Sequence, residues 1–158
     1  YIHAFFLGIG LQYVTTMLLD AIGVLRPDLI TAYNAQMSSQ GYDDLSLLLL
    51  VYSVILAPVI EETVFRGLVF RYARHAMPFW FANILQAALF GFVHMNLVQG
   101  IYAFAMGLFL GWVCRRGHGI KYSIPVHIVF NIIGCFFSGL IQISLTLSYP
   151  LFAGLGII

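Results

Sequence analysis

The 158 residues are 61% hydrophobic and 8% charged, with a mean hydropathy of +0.96 and a formal net charge of +1. Soluble domains carry charge on roughly a quarter of their residues, so this composition indicates a multi-span membrane protein. Seven Lys and Arg residues form no basic stripe of the kind a nucleic acid requires, which excludes that class of partner.

Apolar stretches able to cross a bilayer need about 20 residues. They are predicted at about 2–25, 44–65, 79–97, 98–114 and 124–147, with an incomplete piece from about 149. The expected fold is therefore an all-α, polytopic transmembrane bundle of at least five spans. It forms one domain over 1–158 that is expected to be incomplete at its ends. The segment 26–43, with Pro27, Gly41 and several Ser, Asn and Gln residues, reads as an ordinary extramembrane loop. Arg66, Arg71 and Arg74 follow the second span, and Arg115, Arg116 and Lys121 follow the fourth. The positive-inside rule places both segments in the cytoplasm. Cys114 and Cys135 lack ligand spacing and read as small buried thiols, while His3, His75 and His118 read as solvated.

Three polar islands interrupt the apolar spans. In "APVIEETVFRG" (57–67), Glu62 and Arg66 stand four apart on one helical face, where they can pair and orient the turn. Glu61 points about 100° away and has no partner in its own helix. An unpaired carboxylate in a membrane is costly and usually faces a cavity or a functional partner. Pro58, one turn earlier, removes an amide donor and frees the carbonyl near Val54, which can kink the helix and admit water. In "FGFVH" (90–94), Phe90 and His94 share a face, and Gly91 permits close helix approach; alone, such a histidine is more often a satisfied core residue than part of a site. In "HIVFN" (127–131), His127 and Asn131 share a face and can serve either a site or interhelical hydrogen bonding.

The spacing links these islands. Sixteen residues separate Glu61 from Met77, and sixteen separate Pro78 from His94, so an antiparallel hairpin brings Glu61 and His94 to one depth. The connection near "MNLVQG" then lies deeper than an ordinary loop and must rest on protein or a watery cavity. His127, close behind Lys121, can reach the same cavity from the cytoplasmic side.

In this order and spacing, "EETVFR" (61–66), "FGFVH" (90–94) and "HIVFN" (127–131) resemble the EExxxR, FxxxH and HxxxN signatures of the CAAX-protease and bacteriocin-processing (CPBP, or Abi) intramembrane proteases. The likeness runs from about 45 to 140 and includes Gly107 and Gly111, a GxxxG pair expected to let the fourth span pack tightly. It implies a glutamate-dependent endopeptidase. In that role Glu61 and His94 would activate water, His127 and Asn131 would stabilise the oxyanion, and Glu62 and Arg66 would support the site. The implied substrates are membrane-tethered peptides or lipidated proteins, reached from the cytoplasmic face of what would be a bacterial cytoplasmic membrane, with lipid as the surrounding partner. No cofactor is expected. A zinc ion held by Glu61, His94 and His127 is the metal alternative, but no HExxH helix is present and the amide of Asn131 suits an oxyanion better than a ligand shell. The alternative function is a non-catalytic membrane scaffold or immunity-type binding protein. A transporter would be expected to show two matching halves, and these are not seen.

Overall fold

The computed structural model describes the backbone of residues 2–44 and 46–154, and side-chain environments as far as Ser148. Helix α1 (Ile2–Leu25) is followed after one residue by α2 (Pro27–Ser39). Pro27 opens α2 at a position where no amide donor is needed, and Asp28 complements the helix N-terminus. The exposed Arg26 guanidinium donates to the Asp28 carboxylate at 2.7 and 2.9 Å, holding that carboxyl below its usual range. Gly41, at φ +87°, turns the chain towards α3 (Leu47–Ala76), where the Ser46 hydroxyl accepts from the Leu49 amide at 3.2 Å.

Pro78 precedes α4 (Phe79–Phe92). The Asn96 side chain caps α5 (Leu97–Arg116) by accepting from the Gln99 amide at 3.0 Å, and Arg115 and Arg116 sit in the last turn, where cations suit the helix dipole. A short turn at 117–119 leads into α6 (Ile120–Gly154).

Two close helix pairs build the bundle. Helix α1 lies along α6 so tightly that a Cβ on Gly8 would come within 2.6 Å of the Val129 side chain. Helix α4 lies along α5 in the same way: a Cβ on Gly107 would meet Ala87 at 3.0 Å, one on Gly91 would meet the Gly100 carbonyl at 2.6 Å, and one on Gly111 would land on the Asn83 amide. The expected GxxxG contact is thus present, and its partner is α4. Phe65, Phe90, Met106, Leu110, Val126 and Phe130 close the core between α3, α4, α5 and α6. The outward faces are apolar, with Phe6, Leu48, Trp80, Phe92 and Leu147 all exposed, while Glu62, Arg66, Asn83, Gln86, Ser123 and His127 are buried. Polar groups inside and apolar groups outside is the arrangement a bilayer imposes.

Three expectations differ from the structure. At least five spans are not found: four helices among the described residues, α1, α3, α5 and α6, are long and apolar enough to cross a membrane. The stretch read as a third span ends at Phe92, and its 14 residues reach only about 21 Å of a hydrocarbon core about 30 Å thick. Nor does a separate piece begin near 149, since α6 runs unbroken to Gly154; residues 155–158 lie outside the described residues. The segment 26–43 is mostly helical. The half-buried Leu29, Ile30, Tyr33, Gln36 and Met37 recur at helical spacing and turn one face of α2 towards the bundle.

Candidate active site

Helix α3 is not a regular α-helix around its acidic pair. It widens into π-helical turns over Tyr52–Leu56 and again over Glu62–Phe70. Such turns are rare and concentrate at functional sites. In the first, the Ala57 amide donates five residues back to the Tyr52 carbonyl. The next bond in that register would join residue 58 to the Ser53 carbonyl, but Pro58 has no amide hydrogen. The Ser53 carbonyl is therefore orphaned, and the Asn131 amide on α6 donates to it at 2.7 Å. The freed carbonyl lies one residue before the expected Val54, because the expectation assumed α-helical spacing. Asn131 is held at a fixed place with its second amide hydrogen uncommitted in this contact.

The expected Glu62–Arg66 pair forms at 2.9 Å, with both side chains at 0% exposure. Arg66 also donates to the Gly107 carbonyl at 3.3 Å and lies over the Phe90 ring at 4.4 Å. The same carbonyl accepts from Gln86 at 2.8 Å; Gln86 also donates to Asn83, and Asn83 donates to the Leu108 carbonyl. These two buried amides on α4 bind α4 to α5 beside the guanidinium. They did not stand out in the sequence, although Asn83 and Gln86 share a face three apart in an otherwise apolar helix.

His127 stands between the two glutamates. Its Nδ1 lies 3.0 Å from a Glu62 oxygen, and its Nε2 lies 3.6 Å from Glu61. Because the Glu62 carboxylate accepts, Nδ1 is the donor and Nε2 is the nitrogen presented to Glu61. Glu61 differs from its neighbour in exposure, at 27% for its side chain against 0% for Glu62. His94, in the turn after α4, donates from Nδ1 to the Phe90 carbonyl at 2.7 Å, which leaves its Nε2 as an acceptor. The fully buried Phe90 ring is the hub of this arrangement. It stands edge-on to His94 at 5.0 Å, to His127 at 5.9 Å and to Phe65 at 5.1 Å.

A cavity of about 510 Å³ joins these groups, with Glu61, His94, His127 and Asn131 all on its wall. Glu62 and Arg66 stand behind the wall and fix His127. From Glu61 the lining continues along α3 through Ala57 and Ser53 to Tyr52, along α5 towards Gln99, and along α6 towards Ser138. It ends under α2, where Tyr33 and Met37 contribute. The cavity therefore leads away from the Arg-rich turns. Helix α2 is tied over this end by Gln36, which accepts from Asn96 at 2.8 Å, and by Tyr33 beside Tyr102 at 3.4 Å. The deep α4–α5 turn consequently rests on protein, as its position requires.

His3, His75 and His118 are exposed, Cys114 is buried, and Cys135 is half-buried on the cavity wall. Among the described residues no group of three His, Cys, Asp or Glu side chains lies close enough together to hold a metal ion; Glu61, His94 and His127 share the cavity wall.

Comparison with known proteins agrees with the motifs. Residues 43–133, more than half of the chain, match the family described as type II CAAX prenyl endopeptidase Rce1-like. Over 84 residues the chain is 30% identical to a Bacillus subtilis (strain 168) protein described as "Putative membrane peptidase YdiL", covering 53% of this chain and 34% of that relative. The chain thus spans about a third of that relative's length. No solved structure matches. The matched region contains Glu61, Glu62, Arg66, His94, His127 and Asn131, and the chain belongs to the Rce1-like family of CAAX prenyl endopeptidases.

Proposed function

We propose that this chain is an intramembrane endopeptidase in which Glu61 is the general base. The observation that carries the proposal is the contrast within the glutamate pair: Glu62 is fully buried against Arg66 and His127, while Glu61 is left open to a cavity that also holds two imidazoles and an amide. A water held between Glu61 and His94 Nε2 gives its proton to Glu61 as its oxygen attacks the peptide carbonyl. The tetrahedral oxyanion takes hydrogen bonds from the second Asn131 amide hydrogen and from His127 Nε2–H, donors of the kind worth ~3 kcal/mol each. Glu61 then delivers the proton to the departing amine, so the water is consumed and both new termini are complete.

Charge supports this assignment of protons. With both ring nitrogens of His127 protonated, the charges of Glu61, Glu62, Arg66 and His127 sum to zero, the state a low-dielectric interior favours. His127 in that form donates to Glu62 through Nδ1 and presents Nε2–H to the reacting centre. His94, placed by Phe90, orients the water as an acceptor.

The substrates are proposed to be membrane-tethered peptides or lipidated proteins, in keeping with family membership. With the Arg-rich turns in the cytoplasm, the direction of the lining favours a mouth on the opposite side, in place of the cytoplasmic mouth the sequence suggested. The test is a comparison of membrane proteomes from cells carrying the parent protein and Glu61→Ala. New N-termini that depend on Glu61 support proteolysis, and identical proteomes at equal abundance of the two proteins contradict it. Thiol labelling of Ala57→Cys from each side of sealed vesicles, in a background lacking Cys114 and Cys135, decides the side of the mouth.

A further inference from the structure

A second cavity, of about 760 Å³, lies at the opposite end of the bundle, between the last turns of α3 and the α5–α6 turn. Its wall carries Arg66, Arg71, Arg74, Arg115, His75 and His118. Among the described residues no carboxylate lies on its lining. The whole chain has six acidic residues, Asp20, Asp28, Asp43, Asp44, Glu61 and Glu62, and none is on its lining. Snorkelling arginines at a membrane surface need no shared cavity, but these converge on one.

Their geometry leaves donors free. Arg74 donates to the Met77 carbonyl at 3.0 Å and Arg115 lies over the Phe79 ring at 4.4 Å, so both are oriented by the protein. The exposed Arg71 guanidinium has no partner among the described residues. An independent feature comes from Arg66, which is 1% exposed and lines the cleft, yet whose Nε has no hydrogen-bond partner. The first residue of α6, Ile120, also lines the cleft, which brings the positive end of that helix to it.

We propose that this cleft binds a phosphate group, supplied by the headgroup of an anionic phospholipid. Convergent guanidinium groups fit phosphate oxygens, the cleft stands at the end of the bundle where headgroups lie, and its volume exceeds that of a bare phosphate. A phosphate there sits on the far side of the Glu62–Arg66 pair from the proposed catalytic cavity, so the site is separate from the one above.

The test uses the full chain in phosphatidylcholine nanodiscs doped with phosphatidylglycerol, with retained lipid counted by native mass spectrometry. Phosphatidylglycerol is expected to be retained over phosphatidylcholine. Arg71→Gln, which removes no hydrogen bond or ion pair among the described residues, should weaken that retention about fivefold, and Arg71→Gln with Arg115→Gln roughly twentyfold. Arg116→Gln removes the same charge from a residue that lies over Trp112 and outside the cleft, and should leave retention unchanged. Equal loss in Arg116→Gln, or equal retention of the two lipids by the parent, would overturn the proposal. Displacement of the lipid by millimolar inorganic phosphate would uphold the phosphate site and assign free phosphate as its source, whereas no displacement assigns the headgroup.

Discussion

Replacing Glu62 by Gln keeps the shape of the side chain and removes its charge, which strands Arg66 where neither group has any exposure. Removing one partner of a buried ion pair destabilises by about 3–5 kcal/mol, because the other charge stays buried without compensation. The structure places the expected loss inside that range. Arg66 retains the Gly107 carbonyl and the Phe90 ring, a desolvated cation–π contact worth about 2 kcal/mol, while His127 loses a charged acceptor worth about 1.5–3 kcal/mol. Arg66→Gln should cost a similar amount, since it leaves the Glu62 carboxylate without its ion-pair partner, against His127. The double variant should be milder than the sum by about 2 kcal/mol or more, because it buries two neutral amides instead of one bare charge. The assay is reversible unfolding in mixed micelles for the parent, both single variants and the double variant. Additive effects, or a Glu62→Gln loss below about 1 kcal/mol, would refute the claim that this pair anchors the site.

Other outcomes follow from the same geometry. Pro58→Ala supplies an amide hydrogen to the Ser53 carbonyl, so Asn131 loses its anchor; kcat should fall about tenfold with stability unchanged or raised, as read by peptide cleavage and unfolding side by side. Gly111→Ala drives a methyl into the Asn83 and Gln86 amides and should destabilise by about 1–3 kcal/mol in the same unfolding assay. Chelators should leave cleavage intact, and metal analysis of active protein should find no stoichiometric zinc; reversible loss of activity on metal removal would make Glu61, His94 and His127 ligands.

Glu61, His94, His127 and Asn131, which share one cavity wall, each belong to a local pattern legible in the sequence. The Glu62–Arg66 pair follows from helical spacing alone, and the equal arms around Met77 and Pro78 bring Glu61 and His94 to one cavity. What local spacing could not supply was the partner across helices. His127 sits against both glutamates only because α6 packs on α3, and Asn131 reaches Ser53 only because α3 is widened there, a change of register that α-helical arithmetic places one residue off. A fifth span is not confirmed, for a related reason. A length rule counts apolar residues through 79–97, whereas Met95, at φ +53°, and the Asn96 cap break the chain after Phe92. That cap was legible, since Asn96 and Gln99 have the spacing of a capping pair. The start of α2 was legible too, in Pro27 followed by Asp28, but the polar residues after them outweighed it. The direction of the cavity depends on which gaps the packed helices leave, and no single segment encodes it.

The role of Glu61 as general base is tested by the cleavage rate of a membrane-tethered peptide by purified Glu61→Gln in proteoliposomes. The amide keeps the volume of the side chain and cannot take a proton. Glu61 faces the cavity with His127 Nε2 at 3.6 Å as its close partner, so folding should be undisturbed. The expected rate is lower by about 10²–10⁴-fold or more, with an unfolding midpoint matching the parent. Cleavage at the parental rate by the folded variant would contradict that role.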